Sequence, residues 1–440
     1  MRVRPSFDPD PPVSTPLTLR ELSCADDYDP NSMPVDKARE YIRTFLTPVT
    51  ATERVHVRAA LGRVLAEEIR SPIAVPGHDN SAMDGYAVRF DDLSANAAVT
   101  LKVTGTVFAG KAAALTMGTG EAIRIMTGGV LPVGADTVVM QEVATRDGDT
   151  VTVPPLAEAK IRTRGLNTRK AGEDLKVGSV ALQRGARVNP AELGLIASLG
   201  INEVTVYRKL RVAFFSTGDE LRSIGEALGP GEIYDSNRYT LYGMLTRLGC
   251  DIIDMGVIVD TAEAVEAAFA TASGMADVVI TSGGVSVGEA DYIKAVLDKL
   301  GEVLFWKIAM KPGRPLAYGK LGAAHFFGLP GNPVSVMVTY YQFVREALLT
   351  LAGQTRLPPL PTFRAVLRTP IKKAPGRTEF QRGIFAQDAE GTCSVTVTGD
   401  QGSGILSSMS QANCFIILGP ATGNVAAGET VEVQMFEGMI

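Results

Sequence analysis

Hydrophobic positions first recur at helical spacing just after Pro34. Ala38, Tyr41, Ile42 and Phe45 fall at i, i+3, i+4 and i+7, so they share one face of an amphipathic helix. Residues 1–30 are rich in proline and aspartate and show no periodicity, which is typical of a disordered extension. We therefore expect folded structure to begin at about residue 31.

Between about residue 50 and residue 190 the pattern changes to short alternating strands separated by glycine and proline turns. The strand candidates are 99–103, 122–126, 137–140 and 150–153. We assign 51–144 to a β-rich domain. We assign 31–50 and 145–190 to a linker or dimerisation region.

From residue 210 to about residue 353, apolar strands alternate with amphipathic helices. The strand candidates are 212–216, 251–259, 277–282, 304–310 and 325–329, and the helix candidates are 237–249, 262–273, 290–300 and 333–352. This alternation predicts a central doubly wound, mostly parallel α/β domain over 191–355, with helices on both faces of the sheet. After a proline-rich linker at 357–361, short strands return, and they predict a small all-β C-terminal domain over 362–440.

Composition excludes several classes of function. A formal net charge of −5 and a pI near 5.5 argue against a dedicated nucleic-acid binder, and no apolar run is long enough to span a membrane. The four cysteines show no metal-site or disulfide spacing, and we expect a cytoplasmic protein because no secretory signal is visible. With only three histidines and no P-loop motif, histidine-based hydrolases and P-loop nucleotidases are disfavoured.

Polar loops of unusual composition follow the predicted strands of the α/β domain. They contain 217–220, Asp260, 281–291, 311–315 and 330–333, and Lys307 lies inside the predicted strand that precedes 311–315. Loops at the carboxyl ends of parallel strands meet at one edge of the sheet, where ligands of such folds bind. Helix capping is the alternative explanation for Asp219 or Asn332, and chain reversal is the alternative for the glycine pair 283–284.

These loops combine three kinds of chemistry. Glycine-rich amides favour anions, and the carboxylates of Glu220, Asp260 and Asp291 favour a hard cation such as Mg²⁺. Lys307, Lys311 and Arg314 add positive charge for further anionic groups. The combination predicts a phosphorylated substrate with a bridging Mg²⁺.

Two further polar segments lie in the first half of the chain. Residues 76–87 hold Asp79 and Asp84 between Pro-Gly and Gly-Tyr, and an Asx-rich turn is the alternative to a functional loop. Residues 162–174 are basic and then acidic, and a solvated linker is the alternative there.

Taken together, these segments resemble the molybdopterin molybdenumtransferase family, to which the catalytic domain of gephyrin is related. The resemblance is carried by PGHDNSAMDGYA (76–87), IMTGG (125–129), GLNTRKAGEDL (165–175), STGDEL (216–221), IYDSNRY (233–239), TSGGVSVGEADY (281–292), WKIAMKPGRP (306–315), GLPGNPVS (328–335) and QGSGILSS (401–408). It covers nearly all of 33–440.

The resemblance implies a reaction in which adenylylated molybdopterin and molybdate give the molybdenum cofactor and AMP, with Mg²⁺. The implied metal ligands are Glu220, Asp260 and Asp291, and the implied catalytic residues are these three with Asp79, Asp84, Asp174, Lys307 and Lys311. The implied substrate-binding residues are Thr127, Arg169, Ser282, Gly283, Gly284, Ser286, Gly288, Arg314, Pro330, Pro333 and Ser403. Because the pterin supplies the thiolates that receive molybdenum, the protein needs no cysteine cluster.

The resemblance also implies partners. It implies a homodimer with the active site between two chains, together with contacts to the molybdopterin-adenylating protein and to acceptor molybdoenzymes. Two alternatives remain at this stage: a molybdopterin adenylyltransferase, which the α/β segment also resembles, and a non-catalytic molybdopterin-binding scaffold.

Overall fold

The computed structural model describes residues 32–111, 115–283, 291–357 and 359–436. The elements of the first part are α1 (Val35–Phe45), β1 (Thr52–His56), β2 (Ile69–Arg70), β3 (Asn80–Ser81), β4 (Gly85–Val88), β5 (Val99–Val107), β6 (Glu121–Ile125), β7 (Thr137–Met140), β8 (Thr145–Asp147), β9 (Thr150–Val153), β10 (Thr168–Arg169), β11 (Val180–Leu182), α2 (Pro190–Ser198) and β12 (Glu203–Tyr207).

The middle part holds β13 (Arg211–Thr217), β14 (Leu221–Arg222), β15 (Ile233–Tyr234), α3 (Ser236–Leu248), β16 (Asp251–Ile258), α4 (Ala262–Met275), β17 (Val278–Ser282), α5 (Asp291–Leu300), β18 (Gly301–Lys307), β19 (Met310–Lys311), β20 (Pro315–Leu321), β21 (Ala324–Leu329), α6 (Pro333–Thr339) and α7 (Arg345–Leu351). A π-helical turn, Tyr340–Val344, joins α6 to α7, so the helix predicted over 333–352 is continuous. The last part holds β22 (Thr362–Leu367), β23 (Thr378–Gln387), β24 (Cys393–Val397), α8 (Leu406–Gln411), β25 (Cys414–Leu418) and β26 (Thr430–Met435).

The strand pairings of the first part set boundaries that differ from those expected from the sequence. β1 pairs with β12, and β2 pairs with β11, so both ends of this part form one unit with its own core around Leu65 and Val206. β8 and β9 complete the six-stranded sheet β7-β4-β6-β5-β9-β8, although residues 145–153 were expected in the linker. Pairing between distant segments, rather than local composition, decides these boundaries.

The central sheet has the strand order β16-β13-β17-β21-β20-β18. β13 pairs in parallel with β16 and β17, and β17 pairs in parallel with β21, while β20 is antiparallel to both β21 and β18. Alternating residues of β13 enter two cores: Phe214 packs with α3 and α6, and Phe215 packs with α4 and α5. Helices therefore cover both faces of this sheet.

The sequence suggests one strand over 304–310 with Lys307 inside it, but β18 ends at Lys307. Met33 inserts here, since its N–H donates to the Lys307 carbonyl at 2.7 Å and its carbonyl accepts from the Ala309 N–H at 2.7 Å. The next residues form β19, which pairs in parallel with β23. The strand thus ends because of a contact with a segment about 270 residues away in sequence. No local sequence pattern indicates this end.

The C-terminal part is a small barrel. β23 pairs with both β24 and β25, and this closes the ring β23-β24-β22-β26-β25 around a core that includes Val395 and Ile416. It also contains the short helix α8, which differs from the all-β expectation. Among the described residues, no helix is long and apolar enough to cross a membrane.

Candidate active site

The loops in which the sequence places acids and lysines emerge at one edge of the central sheet. β18 runs antiparallel to β20, which runs antiparallel to β21, so β18 shares the direction of β13, β16, β17 and β21. The carboxyl ends of these five strands therefore face the same way. Such an edge is where open α/β sheets bind ligands.

Three of these loops touch one another through glycine. A methyl group on Gly283 would lie 2.7 Å from the Thr217 carbonyl oxygen, and one on Gly331 would lie 3.9 Å from the Gly283 Cα. Gly283 also has a φ of +91°, and its N–H donates to the Leu329 carbonyl at 3.1 Å. Both its left-handed backbone and its close approach require glycine at 283.

Asn237, at the start of α3, ties two of the loops together. Its amide Nδ2 donates to the Ser282 hydroxyl at 2.8 Å and to the Gly331 carbonyl at 2.6 Å. Ser282 is only 2% exposed. The sequence places Ser282 among the substrate-binding residues, and the structure shows its hydroxyl accepting an internal hydrogen bond that holds the loop.

Buried polar oxygens surround this junction. Ser216 Oγ, Asp235 Oδ2 and Asn237 Oδ1 are buried and have no hydrogen-bond partner among the described residues. The other Asp235 oxygen, Oδ1, accepts from the Arg238 N–H at 3.1 Å and caps α3. Buried unpaired oxygens usually accept hydrogen bonds from ordered water or from a ligand, so these three oxygens can accept further hydrogen bonds.

The three carboxylates expected at the metal follow three neighbouring strands, β16, β13 and β17. Glu220 and Asp260 are exposed, and the Glu220 carboxylate packs over Gly218, where an added methyl group would lie 2.6 Å from Oε2. Asp291 is the first residue of α5, and its side chain lies outside the described atoms. Among the described side chains no three acids, histidines or cysteines form a metal cluster, so this ligand set stays a prediction.

The cationic residues lie between the end of β18 and the start of β20: Lys307 ends β18, Lys311 ends β19, and Arg314 follows in the loop before β20. Lys307, Lys311 and Arg314 are all exposed. Gly313, with a φ of +92°, approaches α6 so closely that a methyl group would lie 2.8 Å from Thr339 Oγ1. The loop is therefore packed against α6 while its charged side chains face outward.

Ser403 comes from the C-terminal barrel to the start of α6. Its carbonyl accepts from the Val334 N–H at 3.1 Å. Pro330 is buried and Pro333 is partly exposed beside it. This hydrogen bond places Ser403 next to the start of α6 across a domain boundary, while the substrate-binding roles implied for Pro330, Pro333 and Ser403 remain predictions.

A second cluster lies in the β-rich unit. The Asp84 carboxylate accepts hydrogen bonds from the N–H and the hydroxyl of Thr127, each at 2.7 Å. These bonds, the one from the backbone first, hold the pKa of Asp84 below its usual value. The resemblance assigns Asp84 and Thr127 separately to the site, and in the structure they are direct hydrogen-bond partners.

Asp79 joins the other half of this cluster. Its carboxylate accepts from Lys170 Nζ at 2.7 Å and from the Ala171 N–H at 2.8 Å, and the Lys170 bond is the main cause of its lowered pKa. Arg169 lies opposite Asn80 in the β3–β10 pair, and the Asp174 N–H donates to the Val75 carbonyl at 3.0 Å. The segments 76–87 and 162–174, distant in sequence, therefore form one surface.

Three predicted substrate-binding residues, Gly284, Ser286 and Gly288, lie outside the described residues. Their assignment remains an expectation from the sequence.

Three family models match consecutive parts of the chain. The MoeA N-terminal region (domain I and II) matches 33–200, the probable molybdopterin binding domain matches 213–350, and the MoeA C-terminal region (domain IV) matches 364–436. The curated molybdopterin molybdenumtransferase of Haemophilus influenzae is 47% identical over 407 residues, which cover 92% of this chain and 99% of the relative. The chain belongs to the molybdopterin molybdenumtransferase family.

Two further relatives match this chain over similar lengths. The molybdopterin molybdenumtransferase of Bacillus subtilis is 36% identical over 408 residues, covering 92% of this chain and 94% of the relative. A crystal structure of the molybdopterin biosynthesis moeA protein of Pyrococcus horikoshii superimposes with a TM-score of 0.78 at 30% identity, covering 92% of this chain and all of that one. The multidomain architecture is therefore shared with a solved structure.

Arg382 has a structural role in this family member that no sequence motif indicates. It is 1% exposed, and its guanidinium donates to the Gly402 carbonyl and the Ser408 hydroxyl, each at 2.9 Å. Its N–H donates to Gln401 Oε1 at 2.7 Å. Burial lowers the pKa of Arg382 to about 10, so it stays charged at neutral pH and fixes the loop that carries Ser403.

Proposed function

We propose that this chain is a molybdopterin molybdenumtransferase, which inserts molybdenum from molybdate into adenylylated molybdopterin and releases AMP. The observation that carries the proposal is the shared edge of the central sheet, where carboxylates, lysines and glycine loops meet in a chain of this family. Molybdate is a tetrahedral dianion, so backbone amides and lysines suit it. The central α/β unit is the molybdopterin-binding, doubly wound domain in this proposal.

Mg²⁺ fits the donor set of this edge. Hard divalent cations take oxygen ligands, and Glu220 and Asp260 present exposed carboxylates after adjacent strands, with Asp291 at the end of the loop after the third. These three residues would hold the ion. When bound, Mg²⁺ offsets the negative charge of the adenylate phosphate.

The protein's own residues orient and neutralise the substrates. Lys307, Lys311 and Arg314 place positive charge at the edge for the oxyanion and the phosphate. Asn237 and Gly283 hold two strand-end loops in one arrangement, and Ser403 closes the pocket from the barrel side. Binding and positioning of two anions, rather than a protein nucleophile, is the chemistry that this edge supports.

The second cluster belongs to the same reaction through a partner chain in this proposal. Thr127, Arg169 and Asp174 are exposed, and Asp79 and Asp84 are partly exposed on the same polar surface. Two copies of the chain would bring that surface to the sheet edge of the other copy. A homodimer of this kind gives each active site residues from both protomers.

The proposal predicts a specific effect of Asp260→Asn. The substitution keeps the shape of an exposed side chain and removes the charge that would bind Mg²⁺, so we expect AMP release from adenylylated molybdopterin to fall roughly 100-fold or more. The measurement is single-turnover AMP release with molybdate and Mg²⁺. The matched control is Asp251→Asn, an exposed acid at the opposite end of the same strand β16, which we expect to keep wild-type release. Equal release by both variants would remove Asp260 from the metal site.

A further inference from the structure

A cavity outside both site clusters combines arginines with an apolar floor. This arginine cavity lies between α1, the helix α6–α7, β26, and the residues Thr355, Leu357, Pro359 and Leu360, and its volume is about 470 Å³. Its charged lining residues are Arg39, Arg43, Arg345 and Glu346. It shares no lining residue with the candidate active site.

We propose that the arginine cavity binds a small organic phosphate. Three guanidiniums face one carboxylate, Glu346, so the charged lining carries a formal surplus of two positive charges. Arginine pairs with phosphate through two parallel hydrogen bonds. A phosphate group therefore suits this lining better than a neutral or cationic ligand.

Two of the three arginines have carboxylate partners. Arg43 donates to both oxygens of Glu346, and Arg39 donates to Asp36 at 2.9 Å and to the Gln342 carbonyl at 3.0 Å. Because Asp36 is almost fully exposed, it is screened by water and leaves much of the Arg39 charge uncompensated. These contacts fix the side chains of α1 in place without neutralising the cavity.

The third arginine, Arg345, differs from Arg39 and Arg43 in its side-chain contacts. It is partly buried, yet within the described part of the chain its guanidinium donates no hydrogen bond and forms no ion pair. Burial is the largest effect on its pKa and lowers it, since a desolvated cation is unfavourable; Arg187 also lowers the pKa, while Tyr340, Tyr341 and Glu346 raise it without reversing the shift. An anion in the cavity would remove this cost, because a buried charge is stabilised by a hydrogen-bonded counter-charge.

The remaining lining residues determine what chemical group, besides the phosphate, fits in the cavity. Leu349, Leu357 and Leu360 form an apolar wall, and Gln342 and Gln434 are linked to each other by a 2.7 Å hydrogen bond. Binding sites for small molecules usually enclose about 300–1,000 Å³, with a mostly apolar lining and a few fixed polar groups. The ligand class is therefore a phosphate ester with a compact apolar or aromatic body.

Equilibrium dialysis of the full chain against phenyl phosphate, with inorganic phosphate as a competitor, tests the proposal. We expect saturable binding that is weakened roughly tenfold or more by Arg345→Gln, because a charge-assisted hydrogen bond is lost. Arg345→Lys should bind with intermediate affinity, since it keeps the charge and loses the bidentate geometry. Inorganic phosphate should compete more weakly than phenyl phosphate, because it cannot contact the leucines.

The matched control is Arg54→Gln, which removes an exposed arginine paired with Glu203 on β1 and should leave binding unchanged. A Lys311→Gln variant separates the arginine cavity from the candidate active site, which also attracts anions. The proposal is overturned if the wild type binds no phenyl phosphate at millimolar concentrations, or if Arg345→Gln binds it as the wild type does. Loss of binding in Lys311→Gln alone would also overturn it.

Discussion

Asn237 and Arg382 each join backbone segments that lie far apart in the sequence. Asn237 bonds to Ser282 and to the carbonyl of Gly331, and Arg382 bonds to the carbonyl of Gly402 and to Ser408. Neither side chain is among the predicted substrate-binding residues, but each fixes a loop that carries some of them. Residues of this kind decide the precision of a site built from loops.

Residues in distinctive polar motifs can be selected from the sequence, but their contacts cannot. Asp84 and Thr127 stand out in unusual polar motifs, and they proved to be direct partners. Arg382 gave no such signal, because a lone arginine in an alternating strand is normally an exposed residue. Its role follows from its burial between β23 and the loop at 399–404, which only the tertiary structure shows.

The Asp79–Lys170 pair predicts a pH-dependent contribution to stability. The pKa of Asp79 is lower in the folded state than its ordinary value of about 3.9, so the stabilisation is present above that value and is lost as the pH falls through the lowered pKa. We expect Lys170→Gln to reduce the free energy of unfolding at neutral pH by less than about 1 kcal/mol, because the pair is partly exposed.

Urea unfolding at a series of pH values measures this effect. The difference between Lys170→Gln and the wild type should shrink on acidification, whereas Lys176→Gln, an exposed lysine nearby, should show no such trend. A difference that stays constant at every pH would mean that the ion pair does not cause the lowered pKa of Asp79.

At the scale of elements, hydrophobic periodicity predicted a helix or strand correctly wherever the apolar face of that element packs against the core. The predicted helix near Pro34 is α1, and the predicted strand and helix at 251–259 and 262–273 correspond to β16 and α4. The end of β18 could not be predicted, because Met33 supplies the hydrogen bonds that interrupt it. The loops of the site depend on such long-range contacts more than the strands do.

Arg382→Lys tests whether the loop that carries Ser403 is a positioned element. Lysine keeps a positive charge but cannot bond to both Gly402 and Ser408 in the planar geometry of a guanidinium. We expect the KM for molybdate to rise roughly tenfold with a smaller change in kcat, because a loosened loop weakens binding before it affects chemistry.

Steady-state kinetics with varied molybdate separate the two effects, with thermal unfolding as a check on folding. Arg364→Lys, on the exposed part of β22, is the matched control and should behave as the wild type. If Arg382→Lys lowered only the melting temperature and left KM unchanged, the residue would serve the barrel core and not the site.

At the scale of the whole molecule, the units are defined by pairings that cross long stretches of chain. β1 pairs with β12, and the β-rich sheet is inserted between them, so the first unit is discontinuous. Composition shifts along the chain could not reveal which distant strands are partners. The pairing of β19 with β23 similarly connects the segment that carries Lys311 to the C-terminal barrel.

The central claim is that this chain couples AMP release to molybdenum insertion, and one measurement tests it most directly. The wild-type protein is incubated with adenylylated molybdopterin and Mg²⁺, with and without molybdate, and both AMP and pterin-bound molybdenum are quantified. We predict that the two products appear together in equal amounts and only when molybdate is present. AMP release at the same rate without molybdate, or no pterin-bound molybdenum under any condition, would contradict the claim.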